Sequence, residues 1–317
     1  MTVRMLFSLL WLSLVVPALA GRQGGATPDP VGTVRTQMRN VKYRFSDNVS
    51  VQINALNGSL VPLGNNECPV LDDKNSFKIH IDSAEIAIGP QDLANLLNSY
   101  VFARPNSPLS GVSVSVANGR LKIKGRLRDS GDLPFETQGV MEPTPDGRIR
   151  LHSDKIRALH VPVTGLMDAF GIEIADLIKS GKVAGVQSEG NDLILNLEQM
   201  LPAPHIEGKV TAIRVESNSI IQTFGSADVK PGLRSPQGNY MSYQGNRVRF
   251  GRLTMDDADI LVSDLNPNDP LDFFLDHYRE QVAAGYAKVT PSFQLRVYIK
   301  DFDKLGPARS TAKSQQK

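Results

Sequence analysis

The chain has 317 residues, 41% of them hydrophobic and 21% charged, with a formal net charge of +2. That length supports one large or two ordinary domains with a self-sufficient core, and a single cysteine, Cys68, excludes an intramolecular disulfide framework. Arg4, Lys304, Arg309, Lys313 and Lys317 lie at the two ends, so the body between them is slightly acidic, which excludes the strongly basic surface of a nucleic-acid binder.

Residues 1–20 carry Arg4, an apolar run from Leu6 to Val16 and the small-residue site Ala18-Leu19-Ala20. This is the layout of a secretory signal peptide, too short to span a bilayer, and the expected address is periplasm, cell envelope or medium. No cysteine follows the expected cut, so no lipid anchor is expected there. Residues 21–33, rich in Gly and Pro, read as a flexible leader.

Period-two alternation follows. Val49, Val51 and Ile53 alternate with polar residues, as do Phe77, Ile79 and Ile81, the mark of half-buried strands. Between them Cys68, beside Pro69, reads as a part-buried small hydrophobe, since no neighbouring His or Lys run would stabilise a thiolate. Pro90 suits a first helical position, Asp92 the first turn, and Leu93, Leu96, Leu97 and Val101 form one apolar stripe.

The sharpest local expectation is a hairpin about Asn118-Gly119, a pair that tolerates the positive φ angles of a two-residue turn. Counting outward pairs Val116 with Leu121, Val114 with Ile123 and Val112 with Gly125 on one face, and Ser115 with Lys122 and Ser113 with Lys124 on the other. This register puts Arg120, Lys122, Lys124, Arg126 and Arg128 on one side of one strand. The ladder is either a phosphate or polyanion site or a wet face that guards an edge strand.

Further strands are expected at 133–141, 147–152, 183–188, 193–197 and 206–224 with a turn near Asn218, then at Tyr240–Tyr243, Arg247–Phe250, Asp259–Ser263 and Phe293–Ile299. Pro145-Asp146-Gly147 and Gln244-Gly245-Asn246 are expected turns. Two short helices, or one helix broken at Gly171, are expected over 162–180, with Leu166 and Phe170 on the apolar side. Another is expected over 270–284, with Asp269 as N-cap and Leu271, Phe274, Leu275, Tyr278 and Val282 at helical spacing. Ile86-Ala87-Ile88-Gly89-Pro90 and Ala158-Leu159-His160-Val161-Pro162 share a loose strand-into-helix plan that hints at a duplicated unit.

Catalytic signatures are sparse. His80, His152, His160, His205 and His277 are scattered without metal-ligand spacing, and Asp256, Asp257 and Asp259, followed by strand-forming Ile260, Leu261 and Val262, read as a polar turn before a strand instead of a calcium loop. There is neither a Gly-x-Ser-x-Gly elbow nor a glycine-rich phosphate loop. Carboxylate pairs such as Glu136 with Glu142, or Asp301 with Asp303, say nothing alone about the separation a glycosidase needs. No cofactor, metal or catalytic residue is assigned.

The strand-then-helix from Ile86 to Asn98, the hairpin from Gly111 to Gly125, and Ile206-Glu207-Gly208-Lys209-Val210 leading to Ile213 and Val215 are arranged in an order that resembles the LmeA-type phospholipid-binding envelope proteins, whose fold is TULIP-like. The resemblance covers about residues 76–225 and leaves 239–303 unmatched. It implies an α+β, β-rich fold with a curved antiparallel sheet packed along a few amphipathic helices, and an apolar channel for acyl chains. The corresponding organisation is a body over 34–303, with a sub-unit break near 225–239, and a disordered basic tail over 304–317.

The expected function is non-catalytic carriage or sensing of phospholipid or another acyl-chain ligand. Leu93, Leu96, Leu97, Leu166, Phe170, Phe273 and Phe274 are the expected apolar lining, and Lys122, Lys124 and Arg126 the expected headgroup contacts, with membrane-surface contact conceivable and no nucleic-acid partner. The competing readings are an envelope scaffold that binds another protein and a hydrolase of envelope polymers.

Overall fold

Alternation begins at Val34 and sets the architecture. In a computed structural model, which describes residues 31–128, 131–154, 156–158, 170–172, 183–216, 218–225 and 238–306, the first three strands are β1 (Val34–Ser46), β2 (Val49–Pro62) and β3 (Phe77–Ile88). They form an antiparallel meander in one phase with their hydrophobic pattern. In β1 the buried set runs Val34, Thr36, Met38 and then Val41, Tyr43, Phe45. The change of phase falls at Asn40, whose φ of 50° lets one residue drop out of the alternation.

After β3, Pro90 opens helix α1 (Pro90–Leu96), which continues as a π turn over Leu97–Val101, as the apolar stripe predicts. Next come β4 (Leu109–Ala117), β5 (Arg120–Leu127), β6 (Leu133–Pro143), β7 (Ile149–Ser153), β8 (Ile156–Ala158), β9 (Phe170–Ile172), β10 (Val186–Glu189) and β11 (Asp192–Leu195). They build an 8-stranded sheet in the order β10-β11-β7-β6-β5-β4, with β8 pairing β6 and β9.

A short helix α2 (Leu197–Met200) leads to β12 (His205–Glu207), β13 (Val210–Glu216) and β14 (Ser219–Gly225), which pair with one another or with β3. The last segment supplies β15 (Tyr240–Phe250), β16 (Leu253–Asp264), β17 (Leu271–Phe274), helix α3 (Tyr278–Ala283), β18 (Tyr286–Val289) and β19 (Leu295–Ile299). With β1–β3 these form an 11-stranded sheet ordered β13-β14-β3-β2-β1-β15-β16-β19-β18, with β12 and β17 as side branches. The apolar faces of both sheets share one core that includes Leu60, Leu121, Ile149, Met241 and Leu271. Among the described residues strand therefore dominates, most of it antiparallel, and helices are few.

The hairpin register is as expected over Ser113–Lys124, with φ of 53° at Asn118 and 72° at Gly119. Beyond it the expected Val112–Gly125 pair is displaced by a bulge between Ser110 and Ser113, where Gly111 has a φ of 57°. The bulge keeps Val112 in the core while Leu109 and Ser110 pair one residue out of step, with Leu127 and Arg126.

Five expectations are corrected. The helix expected over 270–284 begins as strand: Leu271–Phe274 pairs in parallel with Val41–Arg44, and only Tyr278–Ala283 is α-helical. Long-range bonds defeat the helical spacing there. Arg44 holds Asp272 through two bonds of 2.6 Å, the Asp272 N–H donates to Asp301 at 2.8 Å, and the Phe274 N–H donates to the Gln281 side chain at 2.9 Å. Within 162–180, Phe170–Ile172 is strand β9, while the rest of that expected helix, including Leu166, lies outside the described residues.

The expected turn at Gln244-Gly245-Asn246 lies inside β15. Gly245 is needed for close approach, since a Cβ there would sit 2.9 Å from Val34 Cγ2. Likewise Asp256, Asp257 and Asp259 belong to β16 itself and not to a turn preceding it. Lys304, counted with the tail by sequence, closes a 3₁₀ turn (Phe302–Lys304) and ion-pairs with Asp301 at 3.0 Å and with Asp269. Residues 1–30 and 307–317 lie outside the described residues. No described helix is long and apolar enough to cross a membrane.

Candidate functional site

Among the described residues, three apolar cavities with shared wall residues follow one another through the core. The largest of these three, about 260 Å³, lies beneath the C-terminal strands and is walled by Met38, Tyr43, Met241, Tyr243, Met255 and Phe273 among others. The second, about 80 Å³, lies under α1 between the two sheets. The third, about 60 Å³, faces the 8-stranded sheet. Met38, Tyr43 and Ile79 wall both the first and the second, and Leu93, Leu97, Met141 and Leu195 wall both the second and the third. These side chains border both of the spaces on either side of them.

The largest space exists because of what covers it. Strands β1, β15 and β16 present Met38, Tyr43, Met241, Tyr243 and Ile260 as one broad apolar face. The covering elements are the four-residue β17, a single 3₁₀ turn and the six-residue α3. Their Phe273, Leu275, Tyr278 and Val282 reach the cavity edge without filling it. Aromatic contacts fix this wall: Tyr43 and Phe273 ring centroids are 5.7 Å apart, and those of Phe250 and Tyr278 are 4.8 Å apart.

No carboxylate, imidazole or thiol is among the described side chains that line it. The ionisable groups that do are tyrosines. Burial raises the pKa of both the Tyr43 and Tyr243 hydroxyls well above the ordinary tyrosine value, so both remain neutral. Tyr243 donates weakly to Met241 Sδ at 3.7 Å, and Tyr278, at the rim, donates to Asp72 at 3.1 Å. Such a space can hold apolar matter and offers no general base.

The residues singled out by sequence fall in different places. Leu93 and Leu97 wall the two smaller cavities, Leu96 the second alone, and Phe273 the largest. Phe274 points to the other side of β17, where its ring meets Phe302 edge-on at 5.0 Å. Phe170 lies in β9, and Leu166 lies outside the described residues.

Lys122, Lys124 and Arg126 share the outer face of β5, opposite Leu121 and Ile123, which line the smallest cavity. Each is paired there: Lys122 and Lys124 with Glu136 at 2.7 and 3.4 Å, and Arg126 with Asp132 at 2.6 Å. Lys122, the nearer partner, pulls the Glu136 pKa down. The ladder is a neutralised wet face turned away from every cavity described. Sequence reasoning missed Met38, Tyr43, Met241 and Tyr243. Their signal was the alternation itself, which marks an inward face without saying whether it is filled.

A second cluster is polar. Carboxylate oxygens of Asp264, Asp269 and Asp301 lie within 4.8 Å of one another. Lys304 bridges Asp269 and Asp301, and the Asn239 amide donates to Asp264 at 3.4 Å and to the backbone oxygens of Pro267 at 3.3 Å and of Asp269. Burial pushes the Asp264 carboxyl up to about 6. This network ties the end of β16 to the last described turn. The chain matches no family model, no curated protein and no solved structure.

Proposed function

We propose that the chain is an exported envelope protein that binds phospholipid or another acyl-chain ligand in this apolar interior, as a carrier or sensor without chemistry of its own. The observation that carries the reading is the series of cavities with shared walls. The first alone exceeds the ~150 Å³ engineered apolar cavity that stays dry and accepts a benzene-sized guest.

Methionines stand at both partitions, Met38 at one and Met141 at the other. Unbranched thioether side chains change rotamer readily, so an entering chain joins the spaces by displacing them. Each methylene buried there gains roughly 0.8 kcal/mol, which needs a dry groove and no catalytic motif. The signal-like N-terminus and the resemblance to LmeA-type, TULIP-like proteins over residues 76–225 agree with this reading.

Native mass spectrometry of protein from its own host, together with saturable uptake of a fluorescent fatty acid by delipidated protein, tests it. The expected result is a co-purifying lipid and probe binding that the lipid displaces. Protein free of lipid that also ignores the probe overturns the reading.

A further inference from the structure

The wall of the largest cavity is incomplete on one side. Leu253, 50% exposed, and the exposed Ala287 of β18 both line it, together with the half-buried Leu295 and Val297 of β19. Above this opening stands the β18–β19 hairpin, at the free edge of the large sheet. Its tip carries Phe293, 87% exposed, and Val289, 63% exposed.

Phe293 has a φ of 61°, a conformation costly for an aromatic residue. Bonds about Thr290 hold it there: the Phe293 N–H donates to Thr290 O at 2.9 Å, and the Gln294 N–H donates to Thr290 Oγ1 at 3.0 Å. A large apolar side chain is thus fixed in solvent at the top of an open apolar space.

The residues behind the tip are layered. Lys288 and Arg296 face each other across the strands on the outer side, and behind them Tyr286 and Tyr298 stack with centroids 4.6 Å apart. Neither cation has a carboxylate partner among the described residues; Lys288 lies over the Tyr298 ring at 5.2 Å and Arg296 donates to Gln294 at 2.8 Å. From Gly285 to Lys300 the chain carries Lys288, Arg296 and Lys300 and no acidic residue. Asp259, beside the turn, accepts the amides of Gln244 and Gln294.

At strand rise three residues span at most about 10 Å, so Phe293 at the turn stands beyond Arg296 by no more than the ~5–10 Å that an interfacial apolar face sinks below the headgroups. We infer that the β18–β19 hairpin docks the cavity mouth on an anionic lipid bilayer, with Phe293 and Val289 in the acyl boundary, Lys288 and Arg296 at the phosphates and the tyrosine pair at the interface. The inference rests on the lipid-binding reading of the cavity, whose opening the docked hairpin would turn toward the membrane.

Flotation of the processed chain from Gly21, which lacks the apolar run Leu6–Val16 that would itself enter lipid, with vesicles of phosphatidylcholine alone, or mixed with phosphatidylglycerol, tests it. Binding is expected to the mixed vesicles, to fall about fivefold for each of Lys288→Gln and Arg296→Gln, and to be lost in Phe293→Ser, which keeps its melting temperature because the side chain is exposed. The processed chain carries no tryptophan, and Phe293→Trp in it is expected to shift its emission to the blue on mixed vesicles. Vesicle binding that all three substitutions leave intact, or no binding at all, overturns the inference.

Self-association that Phe293→Ser abolishes without any vesicle binding also overturns it, assigning the edge to a second copy. Fatty-acid uptake measured in parallel separates the two claims. Protein that takes the probe but ignores vesicles loses the docking and keeps the cavity reading. Protein that floats but holds no lipid keeps the docked hairpin as a membrane contact and loses the cavity reading.

Discussion

The 8-stranded sheet and the C-terminal half of the 11-stranded sheet bury similar apolar faces and differ in how completely those faces are filled. Under α1, Leu93 and Leu97 join Leu121, Ile123 and Leu151 around about 60 Å³ and also border the space of about 80 Å³ between the sheets. Under β17 and α3, rigid aromatics and methionines stand around about 260 Å³. The difference teaches that α1 and its π turn, twelve helical residues with one apolar stripe, close a sheet more fully than short covering elements with bulky side chains, which leave its middle open.

The comparison breaks most severely at Gln281. Its fully buried side chain accepts from the Phe274 N–H and donates to the backbone oxygens of Asp272 and Lys300 at 2.7 and 2.8 Å. Gln281→Met leaves several buried polar groups unpaired and is expected to cost about 3 kcal/mol or more in a denaturant titration. In the well-filled half, Leu127→Ala at a side chain 2% exposed is expected to cost about 3 kcal/mol by the same measurement.

Filling the cavity sharpens the contrast. Overpacking a close-packed core costs typically ~1–3 kcal/mol, but Val262→Phe places new atoms in existing space. It is expected to hold or raise the melting temperature while abolishing fatty-acid uptake. A drop of several degrees would mean that the space is not there to be filled.

Asp264 gives a pH signature confined to the C-terminal half. Its carboxyl is raised to about 6 from an ordinary value near 3.8, so the native state holds its proton more tightly than the unfolded chain does. Stability from this group is therefore greatest below about pH 4 and is lost as pH rises through 6. Asp264→Asn is expected to melt higher than the parent at pH 7.5 and to match it at pH 4. The smallest effect belongs to Gly119→Ala, where φ is 72°; the left-handed backbone costs ~1–2 kcal/mol with a Cβ present.

How much could be read from sequence divides along the same line. The hairpin about Asn118-Gly119 was legible because turn chemistry and two alternations agree within a dozen residues, and α1 was legible from Pro90 and its leucine stripe. Leu271–Phe274 was not. Its spacing suits a helix, and what makes it a strand are partners such as Arg44, 228 residues away. The bulge at Gly111 was missed because the wish to keep both Leu109 and Val112 inside appears only once the sheet is built. The cavity was illegible in principle, since a filled and an unfilled interior write the same pattern of inward residues.

Asn40 marks where β1 passes from its antiparallel neighbour β15 to its parallel neighbour β17, and its side chain accepts from Gln52 at 3.0 Å and donates to Asn239 at 2.7 Å. Every partner on that flank of β1 comes from beyond residue 238, so the first strand to be synthesised waits on the last quarter of the chain. Non-local closure of this kind makes folding slow. A chain truncated at residue 238 would leave the whole of that flank a naked strand edge, open to intermolecular pairing and aggregation.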